Sequence, residues 1–118
     1  MAQQIHLDLR KVASQYMKLT FKDGKEIELN KPSKAIFNMF KPLTQAFNEL
    51  EKDELSETDT WDLLDTIYEI CAKIMSHNRK NEIVSIEYLE NTLSVDDLKI
   101  IFEKYIQFVN GHLDNAKN

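Results

Sequence analysis

Asp62, Asp65 and Glu69 stand three and four residues apart. On a helix that spacing puts them on one face, and three carboxylates together could hold a hard cation. The surrounding chain has no glycine-bearing loop of the calcium-binding kind, so a solvated acidic helix face is the plainer reading. Cys71 and His77 could form a nucleophile and its base. Six residues along a helix is about 600° of rotation, which leaves them roughly 120° apart around the axis. A free cysteine in an apolar stripe also reads as a buried, inert thiol. His6, His77 and His112 are far apart and form no HExxH pair. One cysteine makes a structural zinc site improbable. The acidic stretch SIEYLENTLSVDD, residues 85–97, lacks the alternating oxygen ligands and central glycine of an EF-hand loop. No serine elbow, phosphate-cradling loop or dinucleotide fingerprint appears, and two glycines could hardly supply one. The residues therefore point to no catalytic centre, no metal and no cofactor.

The elements around these residues form a mostly helical α+β pattern. Residues 16–29, YMKLTFKDGKEIEL, alternate apolar and polar residues at the period of half-buried strands. A two-residue Asp23-Gly24 loop would place the apolar residues of the two strands on opposite faces. A three-residue loop, Lys22-Asp23-Gly24, pairs Leu19 with Ile27 and Met17 with Leu29 on one face, with Gly24 in the left-handed region. Ile5, Leu7 and Leu9 also alternate and predict a third strand, giving a hairpin or a three-strand meander. Asn30 or Ser33 can cap a first helix carrying Ile36, Phe40, Leu43, Phe47 and Leu50. Pro42 inside it predicts a kink or break near Met39–Lys41; one bent helix is the reading, two short helices the alternative.

Ser56, with Asp59 three residues on, starts a long helix. Trp61, Leu64, Ile67, Tyr68, Cys71, Ile74 and Met75 make its broad apolar stripe, which predicts a central helix covered on more than one side. His77 to Asn81 ends it. Ser85 caps a short helix that Asn91 can end. Ser94 with Asp97 caps the last helix, Asp96 and Asp97 complement its dipole, and Gly111 stops it. SIEYLENTLSVDD is thus read as the joint that sets the angle of the last helix.

At 118 residues with few glycines and prolines and no repeats, residues 1–113 read as one domain and 114–118 as a frayed tail. The lone Cys71 allows no internal disulfide and suits a reducing cytoplasm. The N-terminus shows no signal-peptide core and no apolar run approaches a membrane span, so no membrane partner is expected. Net charge is −5, with acids concentrated between Glu49 and Glu69. Phosphate binding wants clustered cations, and the only basic cluster is His77-Asn78-Arg79-Lys80 at a helix end, where the dipole suits it. Nucleic acid is not an expected partner. Phe37 and Met39 lie beside the Ile36–Phe40 stripe, so the first helix is apolar around much of its circumference. Either the hairpin covers that second face or another chain does. Phe37, Met39, Phe40 and Phe47 on this helix, with Tyr105 and Phe108 on the last, are the candidate partner-binding residues.

The order of these segments resembles the tail assembly chaperones of long-tailed phages and prophages of Gram-positive bacteria. The resemblance rests on KLTFKDGKEIEL, an apolar helix, LSETDTWDLLDTIYEICAKIM and VSIEYLENTLSVDDLKIIFEKYIQFVNG. It covers roughly residues 17–111. This chain has Asn91-Thr92 where that family often has glycine. The resemblance implies a non-catalytic protein of the host cytoplasm, absent from the mature virion. It implies binding to the tape measure protein during tail assembly, with the tail tube protein as a further partner and a homo-oligomer left open. It also implies a longer form made by programmed frameshifting. Ala116-Lys117-Asn118 fits, since GCA AAA AAC or GCA AAA AAT contains a slippery heptamer. The competing reading is a small acidic adaptor or regulator of the anti-repressor kind. A winged-helix DNA binder would need a basic recognition helix, which no segment supplies, and an enzyme would need convergent polar groups.

Overall fold

The computed structural model describes residues 4–11 and 15–111; the expected fraying at 114–118, and His112, lie outside them. The hairpin consists of β1 (Met17–Thr20) and β2 (Glu26–Leu29), paired antiparallel. Met17 faces Leu29 and Leu19 faces Ile27, the register of the three-residue loop. Gly24 turns at φ +93° with nothing near the position of a Cβ, so its freedom answers a backbone need and not a spatial one. The Lys25 N–H and the Tyr88 hydroxyl both donate to Asp23 and hold its carboxyl below the usual value. The third strand does not form. Ile5, Leu7 and Leu9 are exposed, and residues Leu9–Lys11 make a single 3-10 turn. Asp8 accepts the Arg10 backbone N–H at 3.0 Å and its guanidinium at 2.9 and 3.0 Å, a local pattern that competes with extension.

Pro42 divides the first helical region. Helix α1 (Lys34–Phe37) is capped by Ser33, whose hydroxyl accepts from Ile36 N–H. Helix α2 (Phe40–Leu50) follows after Asn38 and Met39. Pro42 has no N–H to offer the Asn38 carbonyl four residues back, and its ring crowds that carbonyl. The break therefore falls at Asn38–Met39, just before the expected place, and two helices form instead of one bent helix.

Helix α3 (Glu57–Met75) begins at Ser56, which accepts from Asp59 N–H at 3.0 Å. Only this half of a capping box forms there. At Ser94, the cap of α5 (Val95–Asn110), both halves form: Asp97 N–H donates to Ser94 at 3.1 Å and Ser94 N–H to Asp97 at 2.9 Å. Asp97 also pairs with Lys22 at 2.8 Å, which ties the start of α5 to the hairpin loop and lowers the Asp97 pKa. Between them lies α4 (Ile86–Thr92), capped by Ser85 and one residue longer than Asn91 would allow. Gly111 ends α5 at φ +70°. The 85–97 stretch is thus two capped helix starts separated by Leu93, with Tyr68 donating to the Leu93 carbonyl at 2.7 Å.

The core lies between the hairpin, α2, α3, α4 and α5, and centres on Leu29, Leu43, Ile67, Met75, Leu89, Leu98 and Tyr105. Trp61 departs from the expected stripe: it is 60% exposed. It lies about 120° around the axis from buried Ile67, at the margin of the face that Ile67, Cys71, Ile74 and Met75 bury.

After α3 the chain folds back on the sheet. Asn30 N–H donates to the His77 carbonyl at 3.1 Å and Arg79 N–H to the Glu28 carbonyl at 2.8 Å, so residues 77–79 bridge the free edge of β2. Asn78 is 1% exposed. Its Nδ2 donates to the Met75 and Glu82 carbonyls, each at 2.8 Å, and its Oδ1 accepts from Glu82 N–H at 2.9 Å. The Ser76 hydroxyl accepts from Val84 N–H at 2.9 Å. An Asn78→Ala substitution removes the side-chain partner of three backbone groups, the Met75 carbonyl and both polar groups of Glu82. It should lower stability by about 1–3 kcal/mol, seen in thermal or urea unfolding, whereas Asn91→Ala, at an exposed position on α4, should cost less. Equal losses from the two substitutions would remove Asn78 from this role.

Candidate partner-binding surface

Phe37 and Phe40 lie on adjacent turns, their rings 5.1 Å apart. Phe40 meets Phe102 edge-on at 5.3 Å and Tyr105 at 5.8 Å. Phe102 stacks on Phe47 at 6.0 Å, and Tyr105 lies 6.1 Å from Phe108. The Lys31 ammonium sits 4.6 Å over the Phe108 ring and donates to the Phe108 carbonyl at 3.1 Å. A continuous aromatic series therefore runs from the core of α2 and α5 out to Phe37. Offset and edge-on pairs of this kind add about 0.5–1.5 kcal/mol each beyond area burial, so the exposed end is held by the buried end.

The six candidate residues divide. Phe37 is 50% exposed, and Met39, Phe40 and Phe108 are half-buried. Phe47 and Tyr105 are 6% and 1% exposed, so they are core residues and not surface contacts. Tyr105 is fixed further: its hydroxyl donates to the Asn30 carbonyl at 2.6 Å. The hairpin does not cover the second face of α1, whose four residues include none that is buried. Phe102 and Lys31 belong to the series and were not among the candidates. Phe102 follows from the i, i+3 relation to Tyr105; Lys31 carries no local signal, because it reaches α5 across the fold.

The groups that could have done chemistry are dispersed. Asp62, Asp65 and Glu69 are exposed on α3. Among the described residues no group of three His, Cys, Asp or Glu side chains is placed to hold a metal ion. The His77 ring meets the Lys31 carbonyl through Nε2 at 3.1 Å, so it does not serve Cys71. A cleft of about 260 Å³ lies between the hairpin and the 78–82 loop, lined by Lys18, Glu26, Glu28, Lys80 and Glu82. Lys18 pairs with Glu26 at 3.4 Å beside it. No described helix is long and apolar enough to cross a membrane. Comparison with protein families, curated proteins and solved structures finds no match to this chain.

Cys71 is 3% exposed, and burial pushes its thiol from the ordinary 9.0 up to about 12. Burial likewise raises Tyr105 to about 12. Both shifts favour the folded state fully below the unfolded pKa values, and this contribution is lost as pH climbs from about 9 towards 12. Cys71 should therefore resist a thiol reagent at pH 8 and react at once after denaturation. Rapid labelling of the native chain would contradict this burial.

Proposed function

We propose that the chain is a non-catalytic phage tail assembly chaperone that binds the tape measure protein, with the tail tube protein as a second partner. On this reading it acts in the cytoplasm of the host bacterium and is left out of the mature virion. The observation that carries the reading is the ridge of α1 and α2: an aromatic apex at Phe37, backed by Phe40 and anchored in the core through Phe102 and Tyr105. A chaperone needs apolar surface for its client, and a rigidly backed aromatic presents such surface at little entropic cost. The exposed acids of α3 and the net charge of −5 support the second requirement, that a complex with an aggregation-prone client stay soluble.

The test is direct binding of a tape measure fragment to the full chain, with Phe37→Asp as the probe. Phe37 lies outside the core, so the variant should keep its circular dichroism and lose no more stability than the about 0.5–1.5 kcal/mol of its pair with Phe40. Its affinity for the fragment should fall by about tenfold or more, as expected for loss of an aromatic anchor. A folded variant that binds as well as the parent would take the contact off this ridge.

A further inference from the structure

We infer that the Phe37 ridge takes an amphipathic helix whose apolar anchors are flanked by acidic residues. The inference rests on the chaperone reading and names the chemistry of the segment bound. It comes from the distribution of charge. The chain is acidic, yet residues 29–48 contain Lys31, Lys34 and Lys41 and no acid. This stretch runs from the end of β2 through α1 and most of α2, so it carries the whole ridge. All three lysines are exposed. Among the described residues none of the three pairs with a carboxylate, so their charge is not neutralised within the chain. Lys31 is already held beside Phe108, and Lys34 donates to Asn38 within its own turn. An apolar ridge bordered by unpaired cations fits a segment with hydrophobic anchors and acids beside them. A basic or neutral segment of the same hydrophobicity would leave the cations unmatched.

The test uses the full chain and two labelled synthetic helical peptides of roughly five turns. Both carry Leu and Phe at helical spacing. One is flanked by Glu and its twin by Lys. By fluorescence anisotropy at low salt, the Glu peptide should bind about tenfold tighter than the twin, as expected for three rim charge pairs. Added salt should shrink the difference. The triple variant Lys31→Glu, Lys34→Glu, Lys41→Glu should invert the preference. Because Lys31 also contacts Phe108, the double variant Lys34→Glu, Lys41→Glu is run beside it and should at least abolish the preference. Equal binding of the two peptides by the parent, while it still captures the tape measure fragment through Phe37, overturns this inference and leaves the chaperone reading standing. Failure to bind fragment and peptides alike overturns both. A parent whose ridge is filled by a second copy, seen by light scattering as self-association that the charge reversals abolish, also overturns it.

Discussion

The amide of Asn78 is the point where the end of α3 and the loop leading to α4 meet, beside the edge of β2. A side-chain amide has two donors and an acceptor, and here all its bonds go to backbone groups on either side of one loop. It closes the end of α3 at Met75 and holds Glu82, while the backbone of residues 77–79 pairs with β2. An isolated two-stranded hairpin is marginal in water. This one is stabilised because its second strand gains a further backbone partner and its inner face packs on α3 and α5. The direction in which the chain leaves for α4 follows from the same loop, with Asn81 in the left-handed region at φ 57° and Ser76 gripping Val84. A fully satisfied buried polar group specifies one arrangement, since any slip would strand it.

With the loop fixed, three tyrosine hydroxyls orient the remaining helices. Tyr68 reaches the Leu93 carbonyl, Tyr88 reaches Asp23, and Tyr105 reaches the Asn30 carbonyl. Each ring buries apolar area while its hydroxyl donates to an acceptor in a loop or at a helix end. The Tyr105 contact matters for the proposed ridge. It sets the start of the 30–33 segment against α5, and so sets where α1 emerges. The aromatic series then passes from Tyr105 and Phe102 to Phe40 and Phe37, which couples the position of the surface to the packing beneath it.

Much of this was legible in the chain. The hairpin register followed from one requirement, that Met17, Leu19, Ile27 and Leu29 share a face, and the three-residue loop was the one that met it. The serine caps at Ser56, Ser85 and Ser94 and the stop at Gly111 were readable because capping is local chemistry. Where sequence reasoning failed, the deciding interaction was either competing or distant. The alternation of Ile5, Leu7 and Leu9 indicates a strand, but the Asp8–Arg10 bonds form a turn instead. Trp61 fits an apolar stripe whose width exceeded what the neighbouring helices could cover. Asn78 looked like part of a basic cluster, because nothing in His77-Asn78-Arg79-Lys80 reveals that one member is buried. Phe47 and Tyr105 read as surface candidates since helical spacing alone does not say which side a second helix will occupy. Separating Phe37 from them needed the tertiary contacts.

The division between α1 and α2 has a consequence for how the molecule fluctuates. Helix α1 is a single turn, held by Ser33 and by the Phe37 and Asn38 amides, and none of its four residues is buried. Opening it breaks a few hydrogen bonds and exposes little new apolar area, so its amides exchange through a local event far cheaper than global unfolding. Pro42 limits how far that opening spreads, because the helical ladder is already interrupted at Asn38. The apex of the ridge is thus a small cooperative unit of its own, resting on a much stiffer base. A ligand that requires α1 folded slows this local opening and leaves the exchange of the base unchanged.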